Sequence, residues 1–422
     1  MIQLIRGFKD ILPGEVELWQ EIERIARNLL EDFGYKEIRI PIMEKTELFA
    51  RSIGEDTDIV EKEMYTFPDR KGDLITLRPE ATASIVRSYI QHKMYAADPA
   101  RKLYVIGPMF RRERPQKGRY RQFYQIDAEI FGVASAHADA ELIYLLTVLS
   151  ERLGVTDVAA HINSLGCPEC RPDFKAALLG FMEDRLETLC ADCKRRSGRN
   201  PLRALDCKVD TCRAAMTDAP SILDHLCPDC RDHFDTVQRA LTELGVDYVV
   251  DSRLVRGLDY YSRTTFEVLT GSLGAQSAVA GGGRYDALVE MLGGPSIPAT
   301  GFAIGFDRLA EIAGLKPEEF RKTPDVFIAA LGPECQARAF QWSCALGVQG
   351  ITADMDMEDR SLKSQMKRAD RMGADYVLIF GENELKEGAA VLRNMDTREQ
   401  KSIPLDKVVQ EIKTAVQSTQ SC

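Results

Sequence analysis

The side chains best suited to chemistry lie in one short run, Phe110-Arg111-Arg112-Glu113-Arg114-Pro115-Gln116-Lys117-Gly118-Arg119-Tyr120-Arg121-Gln122-Phe123. Residues 111–121 hold six Lys or Arg and one acid. Guanidinium forks match phosphate oxygens bidentately, so several arginines on one loop make a polyphosphate clamp. Glu113 has the chemistry to accept from an exocyclic amine, and Phe123 offers a face for a base. A bare charge run is usually a solvated loop; the interleaved carboxylate and ring shift this one towards nucleotide binding. Leu254-Val255-Arg256-Gly257-Leu258-Asp259-Tyr260-Tyr261 joins an arginine to a glycine that allows close backbone approach and to paired tyrosines. By itself it reads equally as a turn at a strand end. Gly281-Gly282-Gly283-Arg284-Tyr285-Asp286 lacks the spacing of a Walker loop and reads as a turn. Gly301–Leu309 reads as a strand entering a helix, with Arg308 in its first turns, where it could hold a terminal phosphate.

Eight of the eleven cysteines form close pairs: Cys167/Cys170, Cys190/Cys193, Cys207/Cys212 and Cys227/Cys230. Three pairs are C-x-x-C, and the intervals between pairs are in the range that folds around zinc, so eight thiolates could make two four-coordinate sites. Clustered pairs in a reducing compartment suggest metal before disulfide. Free thiols, or the relic of an ancestral site, stand as the other reading. A catalytic role is disfavoured because the segment offers no suitable partner beyond His225 and His233.

The elements that must position these groups can be read from composition and pattern. The chain has 422 residues, Lys+Arg 55 against Asp+Glu 65, and a formal charge of −10, which excludes a broadly cationic surface. With 45% hydrophobic and 28% charged residues it is globular in composition, and at roughly 150 residues per domain it holds two or three units. The N-terminus lacks the apolar stretch of a signal peptide and no run reaches the roughly 18 apolar residues of a membrane span. A cytoplasmic protein with no membrane partner is expected.

Residues 15–33 carry apolar positions at helical spacing, followed by Gly34 and a strand-like Ile38–Ile42, whose Pro41 suits a sheet edge or a contact with another chain. Strand-like runs at 74–77 and 103–106 flank a helix near 80–95. A further strand over 122–132 makes the basic stretch the exposed loop of a hairpin. A helix at 138–153 leads to the cysteine-rich stretch, which differs in composition from its surroundings and reads as an insertion. Strands return at 247–251 and 264–269, and 299–313 reads as strand then helix. Beyond a Pro-bearing linker at 316–324, strands at 326–330, 351, 376–380 and 391 alternate with helices to 416, which indicates a separate α/β domain. Its segment Arg360–Arg371 has five basic residues against one acid, most on one face of a helix. Alone, such a face is simply solvated.

Together these residues resemble the histidyl-tRNA synthetase family of class II aminoacyl-tRNA synthetases, over nearly the whole chain. The likeness includes Arg6-Gly7-Phe8-Lys9-Asp10-Ile11-Leu12-Pro13, Leu77-Arg78-Pro79-Glu80 with Thr82, the helix and strand ending at Pro41 (motif 1), the arginine hairpin (motif 2) and Gly301–Leu309 (motif 3). Motifs 2 and 3 give the class; Arg256-Gly257-Leu258-Asp259-Tyr260-Tyr261 is specific to the histidine enzymes. Ala81 stands where many relatives have glycine.

The resemblance implies an α+β fold. An antiparallel-sheet class II core would span 1–163 and 236–320, with a mostly helical Cys-rich insertion at 164–235 and an anticodon-binding α/β domain at 324–422. It implies that Arg111, Glu113, Arg119, Phe123 and Arg308 bind ATP, which enters with Mg2+. Arg256 would act with Arg111 on the α-phosphate, at a position where related enzymes commonly use a metal ion. Glu80, Thr82, Gln125, Glu129, Tyr260 and Tyr261 would hold L-histidine, and Lys363, Lys367 and Arg371 would contact the histidine tRNA. A homodimer is implied by motif 1. The family fold does not depend on the eight cysteines, so structural zinc stays open. The expected activity is ligation of histidine to its tRNA through an adenylate. Two rivals are a non-catalytic, synthetase-like regulatory subunit of ATP phosphoribosyltransferase, which lacks the C-terminal domain, and a zinc-dependent nucleic-acid-binding module.

Overall fold

The structure is a computed structural model; residues 1–54, 57, 59–116, 118–198, 200–258, 260–271, 278–358 and 360–420 are described. Lys117 of the basic stretch, Asp259 of the Arg256 element and Cys422 lie outside them. The chain forms two compact units, Met1–Glu319 and Phe320–Cys422.

The first unit is built on an eight-stranded sheet. In spatial order its strands are Lys36–Glu37, Arg101–Phe110, Gln122–Phe131, Ala299–Gly305, Ala278–Arg284, Ser262–Thr270, Val158–Ser164 and Tyr248–Val250. The six central strands pair antiparallel; only the two edge strands run parallel to their neighbours. The helix Val16–Asp32 packs on it through Trp19, whose ring lies 5.2 Å from Tyr124 and 4.5 Å from Phe306. A small sheet of Met43–Lys45, Tyr65–Pro68 and Leu74–Leu77 stands apart.

Two local expectations are corrected. Residues 38–42 are not a strand: the edge strand is Lys36–Glu37, and the carbonyls of Ile40 and Ile42 are taken by the Arg78 side chain and backbone at 3.0 and 2.9 Å. Pro41, lacking an N–H, falls in the irregular stretch that follows. The three glycines 281–283 lie within a strand rather than a turn. Close packing requires glycine at 282, where a Cβ would run into the Gly301 carbonyl across the sheet, Gly283 has a φ of +154°, and Gly281 leaves room for the Arg256 guanidinium.

The helix Ala136–Arg152 starts at Ser135, whose hydroxyl accepts from the His137 N–H, and it buries Asp139 completely. Burial alone would raise that carboxyl, but Arg284, at 2.8 Å, and His233, at 2.7 Å, hold it below the ordinary carboxylate range. The triad ties the sheet to the helix Pro228–Glu243, and a buried charge left without its partner typically costs about 3–5 kcal/mol. Between Ser164 and this helix lie Arg171–Glu183, Ala191–Ser197, Asp210–Ala215 and short 3₁₀ turns, a mostly helical segment.

The second unit has a five-stranded sheet in the order Ala353–Met355, Val326–Ala330, Tyr376–Phe380, Ala389–Asn394, Gln400–Pro404, parallel over the first three and antiparallel over the rest. Val326–Ala330 is buried throughout, as expected for a parallel strand covered on both faces. Trp342 and Leu346 of the helix Pro333–Val348, with Val408 and Ile412 of Val408–Gln420, cover one face; Ala369 of the helix Leu362–Met372 packs on the other. The strand expected at Ile351 begins at Ala353. The exposed, polar strand Gln400–Pro404, with one buried residue, gave no apolar alternation to read.

Candidate active site

The hairpin strand Gln122–Phe131 has a period of two, so Phe123, Gln125, Asp127 and Glu129 share one face, and all four line a cleft. Around it the folded chain gathers Glu80 and Thr82 from the start of the helix Thr82–Gln91, Arg111, Glu113 and Arg119 from the hairpin loop, Arg256, Tyr260 and Tyr261 from the loop before Ser262–Thr270, and Arg308 from the helix Phe306–Ile312. Every catalytic, histidine and ATP residue expected from the sequence therefore lines one cavity.

One end is anionic. Glu129 is fully buried, accepts from Thr82 Oγ1 at 2.7 Å and from the Tyr285 hydroxyl, and faces Gly301 across the sheet. A Cβ on Gly301 would come within 1.5 Å of its carboxylate, so glycine is obligatory there. Burial raises the Glu129 carboxyl well above its ordinary value, against the two hydrogen bonds that favour the anion. Asp127 is raised well above its range by burial and by Glu80, and Glu80 is raised by burial despite accepting from the Ala83 N–H at 3.1 Å. Gln125 Oε1 and Asp127 Oδ2 are buried acceptors without a donor among the described residues. Three crowded carboxylates and two idle acceptors make a receptor for a cation with N–H donors.

The other end is cationic. Arg111 donates to the Pro79 carbonyl at 2.9 Å and lies 5.2 Å from the Phe123 ring centroid; Arg119 is 3.1 Å from Glu113. Arg308 is held by the carbonyls of Ala278 at 2.7 Å and Gly118 at 3.2 Å. Burial, then the neighbouring charge of Arg119, pull its guanidinium below the ordinary range, a crowding that an anion would relieve. Arg256 pairs with Glu267 and lies 5.5 Å from the Tyr261 ring. Burial would depress it, but Tyr261 and Glu267 leave it raised and firmly charged.

Sequence reasoning missed Asp127, Glu267 and Tyr285. Asp127 was available from alternation with Gln125 and Glu129. Tyr285, not Tyr260 or Tyr261, is the phenol bonded to Glu129, while its ring stands 5.5 Å from Tyr260. The candidate tRNA residues Lys363, Lys367 and Arg371 are exposed on successive turns of Leu362–Met372, with no ion pair among the described residues. The basic face is narrower than expected: Arg360 is held by Glu358 at 2.8 Å, and Arg368 lies near Asp354 and Asp356, at 3.8 and 3.6 Å.

The eight paired cysteines do not line this cleft and form two groups, Cys167/Cys170/Cys227/Cys230 and Cys190/Cys193/Cys207/Cys212, with the sulfurs of each group within 4.8 Å of one another. Among the described residues no helix is long and apolar enough to cross a membrane.

Residues 7–309 match the family model described as histidyl-tRNA synthetase, and 325–415 match that of an anticodon binding domain. The chain is 62% identical to the histidine–tRNA ligase of Desulfatibacillum aliphaticivorans, over 98% of each protein. It is 56% identical to that of Geobacter sulfurreducens, over 96% of this chain and 98% of the relative. Among solved structures, apo histidyl-tRNA synthetase of S. aureus superposes with a TM-score of 0.82 at 36% identity, covering 98% of this chain and 100% of that one.

Proposed function

The chain belongs to the histidyl-tRNA synthetase family, and on that premise we propose that it activates L-histidine with ATP and transfers the histidyl group to its tRNA. The observation that supports this most is the polarity of the cleft, anionic where an amino acid's ammonium and imidazole would lie and cationic where a polyphosphate would lie. In the first step a histidine carboxylate oxygen attacks the α-phosphate of ATP, pyrophosphate leaves, and the histidyl-adenylate remains. Glu80, Thr82 and Gln125 hold the ammonium, with Asp127 beside them. Glu129, tuned by Thr82 and Tyr285, accepts from the imidazole against the wall of Tyr260 and Tyr261. An analogue lacking ring nitrogens would leave this buried carboxylate unanswered, which is the source of selectivity.

Glu113 accepts from the adenine amine while Phe123 stacks on the base. Arg119 and Arg308 hold the outer phosphates. Arg111 and Arg256 face the α-phosphate, where charge grows as the carboxylate attacks. Mg2+ would enter with ATP; Glu113, Glu267 and Asp307 are carboxylates in the cleft lining, the donor type that would hold magnesium. In the second step the terminal ribose hydroxyl of the tRNA attacks the activated carbonyl and AMP leaves. The domains are assigned as a catalytic core of 1–163 and 236–320, a Cys-rich insertion of 164–235, and an anticodon-binding domain of 324–422. The enzyme works in the cytoplasm. Exchange of labelled pyrophosphate into ATP that depends on histidine tests this reading, and wild-type protein without it would refute the enzyme.

The regulatory-subunit reading is less supported. A Bacillus halodurans structure titled for both that subunit and histidyl-tRNA synthetase shares the fold at a TM-score of 0.63, with only 20% identity. This chain carries the C-terminal unit and the complete Arg256–Tyr261 element. A pure zinc-binding module would not need the clamp of Arg111, Arg119 and Arg308.

Replacing Lys363, Lys367 and Arg371 together by glutamate should lower aminoacylation at least tenfold and flatten its salt dependence, while leaving pyrophosphate exchange within about twofold. Equal loss in both assays would place these residues elsewhere in the mechanism. The working form is a homodimer, paired through the face that carries the edge strand Lys36–Glu37; sedimentation at micromolar concentration should report twice the 47.3 kDa chain mass. A 47.3 kDa species there would contradict it.

A further inference from the structure

We propose that the cysteine-rich insertion holds two structural zinc ions, one in each cysteine quartet, and that each ion steadies the anchor of one end of the Arg256–Tyr261 loop. The role of that loop rests on the reading above; the metal sites do not. Sulfur separations are 3.6 Å for Cys167 and Cys170, 3.9 Å for Cys167 and Cys227, and 3.9 Å for Cys190 and Cys207. Four sulfurs about 2.3 Å from a tetrahedral zinc stand about 3.8 Å apart. A disulfide would require about 2.05 Å. The backbone N–H of Cys227 points at Cys170 Sγ and that of Cys190 at Cys212 Sγ, each at 3.1 Å, the second layer of donors that a metal-bound thiolate needs. All-sulfur sets select zinc over magnesium or calcium. Each ion would displace four thiol protons to solvent, with no change of oxidation state.

The quartets are nested. The outer one joins 167/170 to 227/230 and so closes the neck of the insertion; the inner one joins 190/193 to 207/212. Between these points the chain has only short elements such as Ala191–Ser197 and Asp210–Ala215, the situation in which small modules rely on metal staples. Each quartet also leads to the loop. Arg171, next to Cys170, donates to the Tyr261 carbonyl and to that of Leu165. Arg203, on the segment between Cys193 and Cys207, donates to the Gly257 carbonyl. Two arginines rooted beside two separate quartets thus grip the backbone next to Arg256 and at Tyr261.

The test uses the full chain purified under reducing conditions with zinc supplied. Mass spectrometry of the metal should find about two zinc ions per chain, falling to about one in Cys190→Ser/Cys207→Ser. Should that variant fail to fold, cobalt(II) substitution of the wild type decides the sites by its thiolate charge-transfer and tetrahedral ligand-field bands. Arg203→Ala should keep both ions, yet speed amide exchange over 254–258 and raise KM for histidine about tenfold with KM for ATP within about twofold. Fewer than about 0.2 zinc ions per chain, with all eight thiols titratable, overturns the sites. Two ions with unchanged amide exchange in Arg203→Ala overturns the anchoring. A wild type without pyrophosphate exchange would defeat the enzyme reading and leave the metal count standing.

Discussion

Arg256→Ala is expected to lower histidine-dependent pyrophosphate exchange by about 10²–10³-fold, the usual loss when one preorganised donor to a growing negative charge is removed. The guanidinium is built for that task. Glu267 and the Tyr261 face fix it, glycine at 281 leaves room beside it, and its charge is secured in a buried setting. Arg111, Arg119 and Arg308 remain to bind ATP, so the loss should fall on kcat, with KM for ATP changed by less than about fivefold. Arg256→Lys separates chemistry from scaffolding. Lysine keeps the ion pair with Glu267 but presents a point charge in place of a planar fork, so it should restore thermal stability and only part of the rate. Full recovery of rate with lysine, or an alanine variant within tenfold of wild type, would reduce Arg256 to a strut.

How much of this was legible depends on how local each signal is. The hairpin arginines stand within eleven residues, and their clustering against a net charge of −10 is visible without a fold. The strand Gln122–Phe131 was legible too, while Gln125 and Glu129 entered through the family resemblance, and the period of two that puts them on one face with Asp127 is plain once the strand is known. Tyr285 was not: its bond to Glu129 joins positions 156 apart, and the glycines before it pointed towards a turn until their neighbours across the sheet were known. The basic helix of the second unit misled in the other direction. Spacing put Arg360 and Arg368 with the other cations, but Asp354, Asp356 and Glu358 come from the preceding strand and loop and neutralise them in space. The cysteines show both sides. Their spacing suggested metal, and only the fold distinguishes nested quartets from interleaved ones.

Glu129→Gln should separate stability from function most sharply. Glutamine keeps one acceptor oxygen, for Thr82 or for Tyr285, and turns its NH2 toward the other hydroxyl, but it removes a charge that the site disfavours while no cation is present. A carboxyl whose folded pKa is raised binds its proton more tightly folded than unfolded. Its contribution to stability is complete below the ordinary carboxylate range and is lost as pH rises through the folded value. The wild type without ligand should therefore lose stability relative to Glu129→Gln as pH rises above the ordinary carboxylate range, and the variant's Tm at neutral pH should match or exceed it. Histidine brings the missing donors, so its binding should release protons and tighten with pH over the same interval, more in the wild type than in the variant, where only Asp127 and Glu80 remain raised. Activation should fall by about 10³-fold or more, because a neutral amide cannot match the imidazole and the ammonium's field together. Thermal melts across pH, with and without histidine, read both effects. A variant less stable than wild type at every pH would mean that the Thr82 and Tyr285 bonds outweigh the buried charge, and the pocket would then be shaped by its own hydrogen bonds rather than by the cation it awaits.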